Sequence, residues 1–152
     1  PQGLLTVDLL QSVTFSNAAL EEREIGPPMS LDVVSTGDLL QAPVNEPFGN
    51  PIIAMVVDDD GDGVPGMIVT FTAPDSGASS TLNSPTGGTG IVVTAITDLD
   101  GFATVYATAN EQAGCYPVMA ETEVGELEDA MFHLRNFSDD PAQDSIFCNG
   151  YQ

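Results

Sequence analysis

The 152-residue chain predicts an all-β fold, an antiparallel β-sandwich. Two stretches carry most of that prediction. Between Pro51 and Pro74, the β-branched apolar runs Ile52–Asp58 and Met67–Thr72 flank an acidic turn punctuated by Gly61, Gly63, Pro65 and Gly66. Between Ile91 and Thr108 the same grammar returns, with Asp98, Asp100 and Gly101 as the turn. Alternating apolar runs on either side of such turn residues read as β-hairpins. The third observation is the scarcity of helical signals. Only Asn17–Ile25, with Ala-Ala-Leu-Glu-Glu-Arg-Glu in its middle, suits a short helix or turn.

In chain order, residues 1–29 read as an N-terminal extension, 30–137 as the sandwich and 138–152 as an acidic tail. Strands are expected at Leu31–Ser35, Ile52–Asp58, Met67–Thr72, Ser80–Leu82, Ile91–Thr97, Ala103–Thr108, Tyr116–Thr122 and Asp129–Arg135. Their Val, Ile and Thr content and the Gly, Pro, Asn and Asp breaks between them justify each one. The segment Ser76–Gly90, rich in Ser, Thr and Gly, reads as a mobile loop.

The extension has its own pattern. Leu5, Val7, Leu9, Val13 and Phe15 fall at odd positions, broken only by Gln11, while Thr6, Asp8, Ser12 and Thr14 fall on the opposite face, interrupted there by Leu10. This period of two describes a strand that needs a sheet edge or groove to cover its apolar side. It either pairs with the next copy of the chain, adding a strand in trans, or folds back onto its own sandwich. Gly26-Pro27-Pro28 would stiffen the linker that carries it.

Charge excludes several classes of function. Asp and Glu total 23 against Arg23 and Arg135, there is no lysine, and the net charge is −21. Nucleic acid is not an expected partner, because phosphate binding needs clustered cations. Anionic membrane surfaces are disfavoured for the same reason, and no apolar run approaches the length of a membrane span. The absence of an initiating methionine suggests a processed mature product, and the expected setting is extracellular. In that setting Cys115 and Cys148 would close a loop of about 33 residues, worth ~3–4 kcal/mol in the chain-entropy model.

Chemistry-bearing motifs are few. Asp58, Asp60 and Asp62 followed by Gly63 match the start of a calcium loop, in which alternating carboxylates converge on a hard cation. Position twelve of that loop would be Val69, where a bidentate Glu is needed, so a looser calcium site or plain turn geometry are the two readings. No other cofactor is expected. His133, the single histidine, stands in the last predicted strand between Phe132 and Leu134, a setting that suits a structural role. Tyr116 suits a corner residue whose hydroxyl bonds to backbone. Asn136-Phe137-Ser138 is a glycosylation sequon. No nucleophile elbow and no zinc-spaced Cys/His set is present, so an enzyme is not expected.

The segments LDVVSTGDLLQAPVNEPFGNPIIAMVVDDDGDGVPGMIVTFTAP, TDLDGFATVYATA, AGCYPVMAE and DAMFHLRNF, in that order, resemble the bacterial immunoglobulin-like domains of the invasin and intimin type over about residues 31–137. The resemblance implies an immunoglobulin-like sandwich in a secreted or cell-surface protein without enzymatic activity. Together these features predict an extracellular, self-assembling structural subunit, a homopolymer joined through the Leu5–Phe15 strand by donor-strand complementation. The alternative is a monomeric adhesive or ligand-binding module, calcium-stabilised, that uses the loops Ser76–Gly90 or Asn110–Gly114.

Overall fold

A computed structural model describes residues 25–34, 40–123 and 127–139. The expected donor strand at Leu5, Val7, Leu9, Val13 and Phe15 lies outside these residues, as do Cys148 and the bulk of the acidic tail. The described residues form ten strands: β1 (Ser30–Val33), β2 (Leu40–Pro43), β3 (Ile52–Val57), β4 (Ile68–Thr72), β5 (Ser80–Ser84), β6 (Gly88–Gly90), β7 (Val92–Ile96), β8 (Phe102–Ala109), β9 (Gly114–Thr122) and β10 (Ala130–Phe137). They pair into two five-stranded sheets, in the orders β1-β3-β8-β5-β6 and β2-β10-β9-β4-β7. The first contains the A-B-E-D set and the second the C-F-G set of an immunoglobulin-like sandwich, with β2, β6 and β7 as added strands. All pairings are antiparallel except β2 with β10, where Leu40 to Pro43 run parallel to Leu134 to Phe137.

The strand alternation has its physical reason in the core. In β3, Ile52, Ala54 and Val56 turn inward and are fully buried, while Ile53, Met55 and Val57 remain partly exposed. Val69 and Phe71 of β4, Val105 of β8, Val118 of β9 and Leu134 of β10 meet them from both sheets, each fully buried. Phe71 and Phe132 pack at 6.1 Å between ring centroids and 37° between planes. Burying such side chains is the main driving term of the fold, about 1.5–3 kcal/mol for each large one.

Both expected hairpins are corrected by this topology. β3 and β4 belong to different sheets, and so do β7 and β8. The acidic stretches 58–67 and 97–101 therefore cross from one sheet to the other. A hairpin would set the two apolar rows side by side on one face, whereas the crossing sets them face to face across the core. The expected loop Ser76–Gly90 is corrected as well. β5 and β6 form a hairpin there, supported by a 2.8 Å hydrogen bond from Asn83 Nδ2 to Thr89 Oγ1. Its turn closes the edge of β7, because Thr86 Oγ1 accepts the Ile96 N–H at 3.1 Å. β2 was missed, since its single buried pair, Leu40 and Ala42, offers little periodicity.

The strand directions place the start of β1 and the end of β10 at opposite poles of the sandwich. β1 begins at Ser30 opposite Val57, where β3 ends, whereas β10 ends at Phe137 opposite Pro43, beyond the start of β9.

Candidate interaction site at the acidic pole

At the pole where β1 begins, the crossings 58–67 and 97–101 lie back to back. Each is shaped by its first aspartate. Asp58 Oδ1 accepts the N–H groups of Asp60 and Asp62, both at 2.9 Å. Asp98 Oδ1 repeats the pattern with Asp100 at 2.9 Å and Phe102 at 3.0 Å. A short carboxylate side chain that captures the backbone two residues on is the reason Asp starts such turns. Asp58 reaches further: its Oδ2 accepts the Gly26 N–H at 2.8 Å, tying the incoming chain to the turn. These backbone donors, Gly26 foremost and then Asp62 and Asp60, hold the buried Asp58 carboxyl below its ordinary value of 3.8.

The two turns touch through glycine. A Cβ on Gly63 would overlap the Asp100 carbonyl, and one on Gly101 would lie 2.6 Å from both Gly63 Cα and the Val56 carbonyl oxygen. Gly101 also sits at φ +88°, a left-handed conformation that costs other residues energy. Thr97, buried beneath, donates from Oγ1 to the Val64 carbonyl at 2.7 Å and accepts the Met67 N–H at 2.8 Å. Sequence reasoning missed Gly26 and Thr97, because their partners lie 32, 33 and 30 residues away.

Above this base runs a groove of about 410 Å³, floored by Ile25, Met55, Leu99 and Phe102 and bounded by Asp62 and Asp100. Leu99 stands at the tip of its turn, 86% exposed between two aspartates. Beside the groove, the carboxylates brought within 4.8 Å of one another are those of Asp58, Asp59 and Asp60. Asp59 therefore takes the place expected for Asp62, whose backbone serves the turn. Its N–H bonds to Asp58 Oδ1, and its carbonyl accepts the Asp58 N–H at 2.9 Å. Both oxygens of Asp58 already accept backbone donors, which leaves Asp59 and Asp60 as the more available oxygen ligands for a cation.

The opposite pole overturns one expectation. Asn136, the sequon asparagine, is fully buried. Its Nδ2 donates to the Ser79 carbonyl at 2.8 Å, Asn110 Oδ1 at 3.0 Å and the Gln112 carbonyl at 3.1 Å, and its Oδ1 accepts the Tyr116 hydroxyl at 2.8 Å. An amide so enclosed cannot receive a glycan in the folded domain, so Asn136 is a structural residue. Tyr116 is likewise corrected, since its hydroxyl bonds to this side chain and not to backbone. Burial pushes the Tyr116 phenol well above its ordinary value of 10.0. The loops expected to bind ligand border a shallow cavity of about 130 Å³ at this pole, lined by Asp75, Ser76, Ser79 and Asn110 among others. His133 faces outward from β10, partly buried and in register with Pro117. Cys115 opens β9 beside Arg135, whose guanidinium lies 5.9 Å from the Phe137 ring centroid.

No protein-family model and no curated protein matches the chain. Solved structures similar to it include the D0-D1 domain of intimin, 20% identical, with 72% of this chain and 49% of that chain covered and a TM-score of 0.45. The chain thus spans about half the length of that intimin structure. A lipoprotein from Bacteroides thetaiotaomicron is 16% identical over 86% of this chain and 95% of that one, with a TM-score of 0.42. A conjugative transposon lipoprotein from Bacteroides eggerthii is 12% identical over 70% and 94%, with a TM-score of 0.41. The sandwich assignment itself rests on the strand pairing. No helix among the described residues is long and apolar enough to cross a membrane.

Proposed function

We propose that the chain is a non-enzymatic, extracellular structural module of the cell surface, an immunoglobulin-like body that joins copies of itself through its N-terminal strand. The supporting observation is that the start of β1 and the end of β10 lie at opposite poles of the sandwich, which suits subunits connected end to end. The sandwich has its own last strand, β10, and its core side chains are closed from solvent. In this reading the Leu5–Phe15 strand therefore extends a neighbour's sheet edge and does not replace a missing strand. Edge strand β1 suits that role, since it ends on the exposed Val33 and is flanked by the exposed Met29 and Val34. A Cys115–Cys148 disulfide belongs to the same reading as an expectation from the even cysteine count.

Val7→Asp in the intact chain is the test. Buried in a strand-to-strand joint, the new carboxylate has no partner and the contact should fail. Loss of filaments in negative-stain electron microscopy, with an unchanged thermal midpoint, supports the reading. Normal filaments, or a wild-type chain that is monomeric in light scattering at all concentrations, removes it.

The grouping of Asp58, Asp59 and Asp60 favours a second reading, a calcium-stabilised adhesive module. A rise in thermal midpoint on adding millimolar calcium, abolished in Asp60→Asn, supports it; an unchanged midpoint ends it.

A further inference from the structure

The groove between Ile25, Met55, Leu99 and Phe102 is shallow and open to solvent. The Gly63–Gly101 backbone contact braces the two turns beneath it, and its floor includes a leucine held almost fully in solvent. An aliphatic side chain at 86% exposure between two aspartates contributes nothing to the core. It gains only when something covers it.

Charge says what can cover it. The groove is bounded by Asp62 and Asp100, with Asp59 and Asp60 on the neighbouring turn. At the same pole β9 and β10 are joined through Glu123, Glu128 and Asp129. A second copy is a poor occupant, because the chain carries 23 acidic residues and no lysine. Arg135 is on β10 in register with Cys115, at the far pole, and bonds to Gln41 at 3.2 Å. An apolar floor inside an acidic rim is complementary to a segment of opposite charge that also carries an aliphatic side chain.

We propose that this groove docks a basic, leucine-bearing segment of a different protein, whose aliphatic side chain covers Leu99, Met55 and Phe102 while its lysines or arginines meet Asp62 and Asp100. The contact lies at the pole where β1 begins, and it is independent of how copies of the chain join. The rim charges bring the segment in and make binding salt-dependent, whereas the floor selects among basic segments.

A fluorescently labelled decapeptide of alternating lysine and leucine, titrated by anisotropy into the intact chain, tests this against decalysine of higher charge. The expected result is tighter binding of the lysine-leucine peptide at low salt and weakening in about 0.3 M sodium chloride. Leu99→Ser should weaken it about tenfold or more, as loss of one buried aliphatic contact implies. Leu99 is exposed enough that this variant keeps its fold. Tyr106→Ser, which removes an apolar side chain 51% exposed on the outer face of β8, should leave affinity unchanged. Equal affinity for decalysine, an unaltered affinity in Leu99→Ser, or no binding by the intact chain would each overturn the proposal. The last outcome includes the case in which the chain's own extension fills the groove.

Discussion

At the acidic pole, turns are closed by carboxylates that accept N–H groups two and four residues along, whereas at the opposite pole one buried amide, Asn136, ties together segments up to 57 residues apart. The first device is local, charged and close to water. The second is long-range, neutral and dry. Carboxylate capping is set by short sequence motifs and responds to pH, while the amide network depends on the finished fold and has no titrating member near neutrality. The same sandwich is thus closed by sequence at one end and by tertiary structure at the other.

Breaking the neutral pole should have the largest effect. Asn136→Ala leaves the Tyr116 hydroxyl and the Gln112 carbonyl without the Asn136 side chain that pairs them, and the expected loss is roughly 3 kcal/mol or more, read from the denaturant midpoint. Tyr116→Phe strips one bond from the same network and should cost about 1–2 kcal/mol. At the acidic pole, Gly101→Ala meets both a left-handed φ and a 2.6 Å approach, for about 2 kcal/mol of destabilisation. If Gly101→Ala proved costlier than Asn136→Ala, the ranking of the poles would reverse.

The smallest effect at neutral pH, and the one that sharpens the contrast, belongs to Asp58. Because the fold holds its carboxyl below 3.8, its contribution is complete above that value and is lost as the pH falls through the lower folded value. Asp58→Asn should therefore reduce stability at pH 7 and flatten the acid limb of a plot of thermal midpoint against pH. Asn136→Ala should lower the whole curve without changing its shape. Parallel curves for wild type and Asp58→Asn would show that the turn carboxylate is not the acid-sensitive element.

What could be read from the chain follows the same division. The strands and their inward faces were legible, because alternation in Ile52–Val57 or Phe102–Ala109 directly reports which side is buried. Pairing was not. Periodicity identifies a face but not its neighbour, so short acidic connections looked like hairpins when they cross between sheets. The repeated aspartate grammar was visible at Asp58 and Asp98, and the structure gives both the same two backbone acceptor bonds. The substitution of Asp59 for Asp62 beside Asp58 depends on turn conformation, and no residue spacing fixes that. Asn136 misled in the opposite direction: its tripeptide matches a surface motif, while the contacts that bury it come from Ser79, Asn110 and Gln112.

The parallel pairing of β2 with β10 bears on how the molecule carries tension. A pull applied between the start of β1 and the end of β10 runs along the strand axes. The bonds joining Leu40–Pro43 to Leu134–Phe137 are then sheared together and are not unzipped one at a time. Rupture under such loading is governed by the rate of crossing an unfolding barrier and not by equilibrium stability. A sandwich of ordinary thermal stability can therefore serve as a stiff link in a stretched chain.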